Sequence, residues 1–311
     1  MAELHILKAG VLASVQDLGC VNAASAGMGQ GGVADPLAAR LANWLVGNSA
    51  DAALIELTFG QARVRSDHDC WLALTGAPAP LSVDGRSRGV ASSFLLPAGA
   101  ELQIGAPNAG LRSYLAVAGG LAVPQVQGSR STRLAAGFGG WQGRALAAGD
   151  RLPLGESHWL PCRRGVRSPG MTDWVRVLPG PQVDWLDAES RALWHGQAWQ
   201  VSPQSNRMGL RLSGESLVLA HSESLFSHPV LPGTIQLPPA GLPIVLLADA
   251  QLTGGYPVIG QVIAADLWRC AQWRPGQAVR FVPVDEAAAL TALRAQQQWL
   301  QHVQQRLLIR W

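Results

Sequence analysis

Glycine and proline interrupt this chain so often that most of it cannot form long helices. There are 35 Gly and 20 Pro among 311 residues, a density that favours many short strands joined by specific turns. Three segments repeat one small plan: Gly99-Ala100-Glu101-Leu102-Gln103-Ile104, Gly149-Asp150-Arg151-Leu152-Pro153-Leu154 and Gly276-Gln277-Ala278-Val279-Arg280-Phe281. Each places a turn glycine before alternating apolar positions, as strands entering a barrel do. A chain this long can bury two moderate cores. The Pro/Gly and charge content of His158 to Asp173 reads as a linker, giving domains of 1–160 and 171–311.

Helices are expected at few places. Asp35 before Pro36 is suited to cap a helix over Pro36 to Leu45, ended by Gly47-Asn48. A short helix is expected over Asp184 to Leu193, between strands at Trp174 to Leu178 and Trp199 to Ser202. Asp285 to Leu308 carries the strongest helical pattern, with Leu293, Leu300, Val303 and Leu307 roughly on one face. It is expected to pack on a barrel exterior. Twelve Trp against two Tyr suggests indoles filling barrel interiors.

Charge narrows the chemistry. The net charge is +3, charged residues make up 14%, and Lys8 is the sole lysine. That excludes a Walker A loop and leaves almost no room for Schiff-base catalysis. The other basic residues are Arg, whose rigid fork suits carboxylate or phosphate. They form no basic run with interleaved aromatics, so no nucleic-acid partner is expected; Arg163-Arg164-Gly165-Val166-Arg167 reads as exposed linker. No signal peptide or membrane-length apolar run is evident, and Cys20, Cys70, Cys162 and Cys270 have no metal-ligand spacing. A cytoplasmic protein with reduced thiols and no membrane partner is the simplest reading.

Polar turns supply the candidate sites. The apolar run Leu246-Leu247-Ala248 ends in Asp249, Gln251 and Thr253, then breaks at Gly254-Gly255 before Tyr256. Such a strand end can bind a small polar molecule, or simply turn the chain. Ser205, Asn206, Arg207 and Arg211 form a second cluster that could clamp a carboxylate or phosphoryl group, or lie in a plain surface turn. Gln16, Asp17 and Asp35 form a third, in which Asp35 is a general base or only a helix cap. Glu56 between Ile55 and Leu57 either faces solvent or is buried against an Arg, and Ser129 to Arg133 has hydroxyls and charge for an anion site. His221 and His228 make a poor metal pair, no metal site is expected, and no HExxH, GxSxG or dinucleotide fingerprint is present.

Taken together, these motifs are more specific than any one of them. Ser14-Val15-Gln16-Asp17-Leu18-Gly19, Ala34-Asp35-Pro36, Ala42-Asn43-Trp44-Leu45-Val46-Gly47-Asn48, Ser113 to Gly120, Gly128-Ser129-Arg130-Ser131-Thr132, Ser205-Asn206-Arg207-Met208-Gly209 and Thr253-Gly254-Gly255-Tyr256-Pro257 resemble the biotin-dependent carboxyltransferase family. That family is also called allophanate hydrolase subunit 2, and the resemblance runs from about Ile6 to Phe281. Within it the chain looks most like the branch of C-type 5-oxoprolinase subunits.

The resemblance implies a mainly β fold of two cyclophilin-like β-barrel domains, with a few short helices and a C-terminal helix. It implies work with subunits A and B to open 5-oxo-L-proline to glutamate with ATP, and Mg2+ accompanying the nucleotide. Under it, Asp35, Arg207, Arg211 and Asp249 are candidate catalytic groups, and Asp35 or Asp17 would support the ATP-bound metal. Gln16, Asp17, Ser205, Asn206, Gln251, Thr253, Gly254, Gly255 and Tyr256 are candidate substrate contacts. One alternative is a carboxyltransferase acting on an amide such as urea, with biotin carried by another protein, since Lys8-Ala9 is no biotinylation sequence. Another is a non-catalytic antagonist of a kinase-inhibitor protein. Cys20 and Leu252 depart from the usual pattern, where relatives have Arg and a more polar residue.

Overall fold

The computed structural model describes residues 2–20, 27–157, 162–221 and 225–308. These divide into two compact units. The first holds residues 2–20, 31–157, 162–170 and 301–308, and the second holds 27–30, 171–221 and 225–300.

In the first unit the strands are β1 (Glu3–Lys8), β2 (Leu12–Gln16), β3 (Leu54–Thr58), β4 (Ala62–Ser66), β5 (Cys70–Gly76) and β6 (Leu81–Val83). There follow β7 (Arg86–Ser87), β8 (Ser93–Leu96), β9 (Glu101–Ile104), β10 (Arg112–Val117) and β11 (Arg151–Pro153). They form a six-stranded sheet, β11-β1-β4-β9-β6-β7, and a five-stranded sheet, β2-β3-β10-β5-β8. Apolar residues alternate inward from both sheets into one core, including Leu4, Ile6, Val64 and Leu102 from one and Val15, Ile55, Leu72 and Leu115 from the other. Helix α1 (Pro36–Leu45) packs on β5 and β10. Asp35 caps it by accepting the Ala38 N–H at 2.9 Å, with Pro36 opening the first turn where a missing N–H costs nothing.

The second unit has β12 (Trp174–Pro179), α2 (Ala188–Gly196), β13 (Trp199–Val201), β14 (Gly209–Ser213), β15 (His228–Pro229) and β16 (Thr234–Gln236). It continues with β17 (Ile244–Leu246), β18 (Thr253–Gly254), β19 (Val258–Val262), α3 (Leu267–Cys270), β20 (Ala278–Pro283) and the first part of α4 (Glu286–Leu308), as far as Leu300. Seven strands close into a barrel in the order β12-β19-β16-β17-β14-β13-β20, sealed by the parallel pairing of β12 with β20. Closure leaves no unpaired edge inside that ring. Strands β15 and β18 lie outside it as a two-stranded ribbon. Trp194, Trp199 and Trp273 are fully buried in the barrel core, and Trp194 stacks on Phe281 with ring centroids 4.7 Å apart. Each truncation there would cost about 3–5 kcal/mol.

The mainly β expectation is met, with few short helices and a long terminal one. Hydrogen bonding closes the second unit into a ring, whereas the described strands of the first enclose their core between two sheets. The short helix expected over Asp184 to Leu193 divides in two. Val183–Trp185 forms a single 3-10 turn, and α2 begins after Asp187, whose carboxylate accepts the Ser190 N–H. Part of the expected linker is built into the first unit. Ser93 N–H donates to Arg164 O at 2.8 Å and Val166 N–H to Ala91 O at 2.9 Å, so the Arg163–Arg167 segment extends the β8 edge. His158 to Pro161 of that linker lie outside the described residues. The α4 stripe buries Leu300 and Leu307, and residues 301–308 group with the first unit. Among the described residues no helix is long and apolar enough to cross a membrane.

Candidate functional site

In the second unit the turn before β14 meets the turn after β17. Strand pairing sets Gly209 opposite Leu246, and two further backbone bonds continue the match, Leu247 N–H to Met208 O at 3.0 Å and Asp249 N–H to Arg207 O at 3.0 Å. Side chains reinforce the contact. Arg207 donates through Nε to Asp249 Oδ2 at 2.8 Å and through Nη2 to Oδ1 at 3.0 Å, a bidentate fork buried on the Arg side. Asn206 Oδ1 accepts the Met208 N–H at 2.8 Å and so shapes the turn. Ser205 Oγ accepts the Arg211 N–H at 3.1 Å.

The two arginines therefore part company. Leu210 and Leu212 point into the barrel, so period-two alternation puts Arg211 on the exposed face. Arg207 is buried and paired with a carboxylate, and Arg211 is exposed. Beyond Asp249 the chain carries Gln251, Thr253 and Tyr256 with exposed side chains, and β18 is held by pairing of Gly254 with His228 and Thr253 with Pro229. The two glycines have different reasons. A Cβ on Gly254 would overlap Gln236 Nε2, whereas the nearest atom to one on Gly255 is Leu225 O at 3.4 Å, an ordinary contact.

Gln236 belongs to none of the sequence motifs. It is 2% exposed, and its Nε2 is buried without a hydrogen-bond partner. A Gln within the alternating run Thr234-Ile235-Gln236 is the available signal, since a polar residue inside a barrel strand needs a reason.

In the first unit a different carboxylate organises a different turn. Asp17 Oδ1 accepts from Gly19 N–H at 2.8 Å, Ser129 Oγ at 2.7 Å and Ser131 Oγ at 2.6 Å, while Oδ2 accepts Arg130 N–H at 2.5 Å. The hydroxyls expected to hold an external anion thus hold one from the same chain. Asp17 thus takes four donors on its two oxygens, and Asp35 Oδ1 caps α1. Among the described residues no cluster of three or more His, Cys, Asp or Glu is placed to hold a metal.

Gln16 lies fully buried beside Asp17, donating through Nε2 to Ser14 Oγ at 3.0 Å and Thr132 O at 3.2 Å, with Oε1 unpartnered. Glu56 is buried, not solvent-facing. It accepts the Ala34 N–H at 2.8 Å and lies 3.7 Å from the buried Arg112 guanidinium. Tyr114 Oη accepts the Asp35 N–H at 2.8 Å, so the chain leaving the Gly31-Gly32 loop is tied down. Gly32 is required there: its φ is +85° and a Cβ would lie 2.6 Å from Gly19 N.

The family model for the carboxyltransferase domain, subdomain A and B, matches residues 26–283. The chain belongs to that family. It is 42% identical to the C-type subunit of 5-oxoprolinase from Escherichia coli (strain K12) over 98% of each chain. It is 36% identical to the corresponding C-type subunit from Haemophilus influenzae over 92% of this chain and 94% of that one. The crystal structure of the K. lactis urea amidolyase superposes with a TM-score of 0.89 at 25% identity, over 99% of this chain but 20% of that one.

Proposed function

We propose that this chain is the C-type subunit of an ATP-dependent 5-oxoprolinase, opening 5-oxo-L-proline to L-glutamate in a cytoplasmic complex with subunits A and B. The observation that carries this reading is the full-length similarity to two bacterial proteins of that name.

A lactam carbonyl is a weak electrophile, and its ring opens only when the oxygen is activated. ATP supplies that activation by phosphoryl transfer. The chain's own contribution is to orient the small amide. Arg207 and Asp249 neutralise one another and lock the start of the segment that presents Gln251, Thr253 and Tyr256, so these exposed side chains supply donors and acceptors to the lactam from a fixed backbone. Fixing them beforehand avoids reorganisation cost when the ring reacts. The nucleotide and its Mg2+ belong to the assembled complex, where Asp35 or Asp17 would support the ion.

Purified A, B and C mixed with ATP and 5-oxo-L-proline form glutamate; leaving out C abolishes it, and added avidin does not. Glutamate formation by A and B alone overturns the assignment. Inhibition by avidin favours instead the carboxyltransferase reading, which the family name and the urea amidolyase likeness support. A stable B–C complex that leaves turnover unchanged favours the antagonist reading. Within the active complex, Thr253→Val lowers turnover about tenfold or more without loss of assembly, since the side chain is exposed.

A further inference from the structure

The outer face of the six-stranded sheet carries a polar row that the proposed activity does not use. Strand register sets Lys8 opposite Arg63, Arg63 opposite Gln103, Gln103 opposite Ser82 and Ser82 opposite Ser87. One continuous row thus crosses five strands, and all five residues line a groove of about 560 Å³. That volume falls within the range of small-molecule sites, about 300–1,000 Å³.

The charges are arranged against the sheet's own interest. Like charges directly opposite on paired strands repel, yet the chain's only lysine faces an arginine. Glu101 relieves one of them, accepting from Arg63 Nη1 at 3.2 Å and from Gln103 Nε2 at 3.1 Å. Lys8 forms no ion pair among the described residues. A register shift between Ile6 and Lys8 is the device that aims this side chain into the row, because a bulge resets the alternation of a strand. Gln61, which lines the groove, lies in a left-handed stretch where Phe59, Gly60 and Gln61 all have φ near +60°.

We propose that this groove binds an oxyanion, the carboxylate or phosphate of a small molecule, with Lys8 as its principal counter-charge, Arg63 as the second cation, and Gln103, Ser82 and Ser87 as hydrogen-bond partners. Lysine acts here as a point charge, and the amide and hydroxyl groups supply direction. The site lies within the first unit and does not depend on the lactam-opening assignment.

A single lysine makes the test clean. Reductive methylation with 13C-formaldehyde labels Lys8 and the α-amino group as amines that keep their basicity, and the titration is run at fixed pH. The full-length protein is titrated at constant ionic strength with inorganic phosphate and, separately, with glutamate. The Lys8 methyl resonance shifts saturably with at least one of them while the α-amino resonance stays in place, and Gln103→Glu, which adds a negative charge to the row at an exposed position, weakens the apparent affinity at least tenfold. Saturation by phosphate alone or glutamate alone supports the site and fixes its class. Shifts that are linear with both, that move both resonances together, or that persist unchanged in Gln103→Glu overturn it.

Discussion

The two units each hold a carboxylate at a polar turn, and they do it by opposite means. In the first, Asp17 is surrounded by two hydroxyls and two backbone N–H groups. In the second, Asp249 is matched by the Arg207 fork. A cage of neutral donors orders the loops that supply them, here Leu18-Gly19 and Ser129–Ser131. An ion pair staples two strand ends and removes net charge from the turn. The first arrangement defines a loop shape, and the second defines a rigid platform for whatever follows Asp249.

Breaking half of the ion pair gives the largest effect. Arg207→Ala leaves Asp249 unpaired and destabilises the protein by about 3–5 kcal/mol in denaturant unfolding. Loss of activity in that variant therefore mixes folding with chemistry, which is why Thr253 is the better probe of function. Arg207→Met with Asp249→Leu recovers much of the loss; no recovery would show that the pair is not the unit that matters.

The neutral cage responds more mildly. Asp17→Ala removes an acceptor from four donors, and unfolding stability falls by about 2–3 kcal/mol. Raising salt to about 1 M changes neither penalty much, because both groups are shielded from solvent. A penalty for Asp17→Ala equal to that of Arg207→Ala would erase the contrast.

The smallest effect belongs to an exposed pair that does neither job. Arg144 beside Asp150, helped by the Ala147 N–H, holds the Asp150 carboxyl down at about 2. Its folded value lies below the ordinary carboxylate range, so its stabilisation is present above about pH 4 and is lost as pH falls toward 2. Asp150→Asn lowers Tm by no more than a few degrees at pH 7, given the exposed Arg144, and the gap closes as pH falls through about 2. A difference that persists at pH 2 would assign the effect to shape, not charge.

How much of this could be read in advance differs between elements. The α1 cap was legible because Asp-Pro before an apolar run specifies a helix start through local hydrogen bonding. The α4 stripe and the apolar burial of the Gly-spaced strands were legible through periodicity. The role of Ser129 and Ser131 was not, since a serine pair reads alike whether its partner is a ligand or an aspartate 112 and 114 residues away.

Sequence alone determined which segments become strands, where the chain turns and which residues are polar at those turns, because sterics, capping and side-chain alternation act over a few residues. Tertiary structure decided the partners: that Arg207 faces Asp249 and Arg211 faces water, that Glu56 is buried with Arg112, that Gln236 lies against Gly254, and that Lys8 stands opposite Arg63. Pairing between distant segments is set by strand register and core packing, and a one-residue slip would change every one of those neighbours.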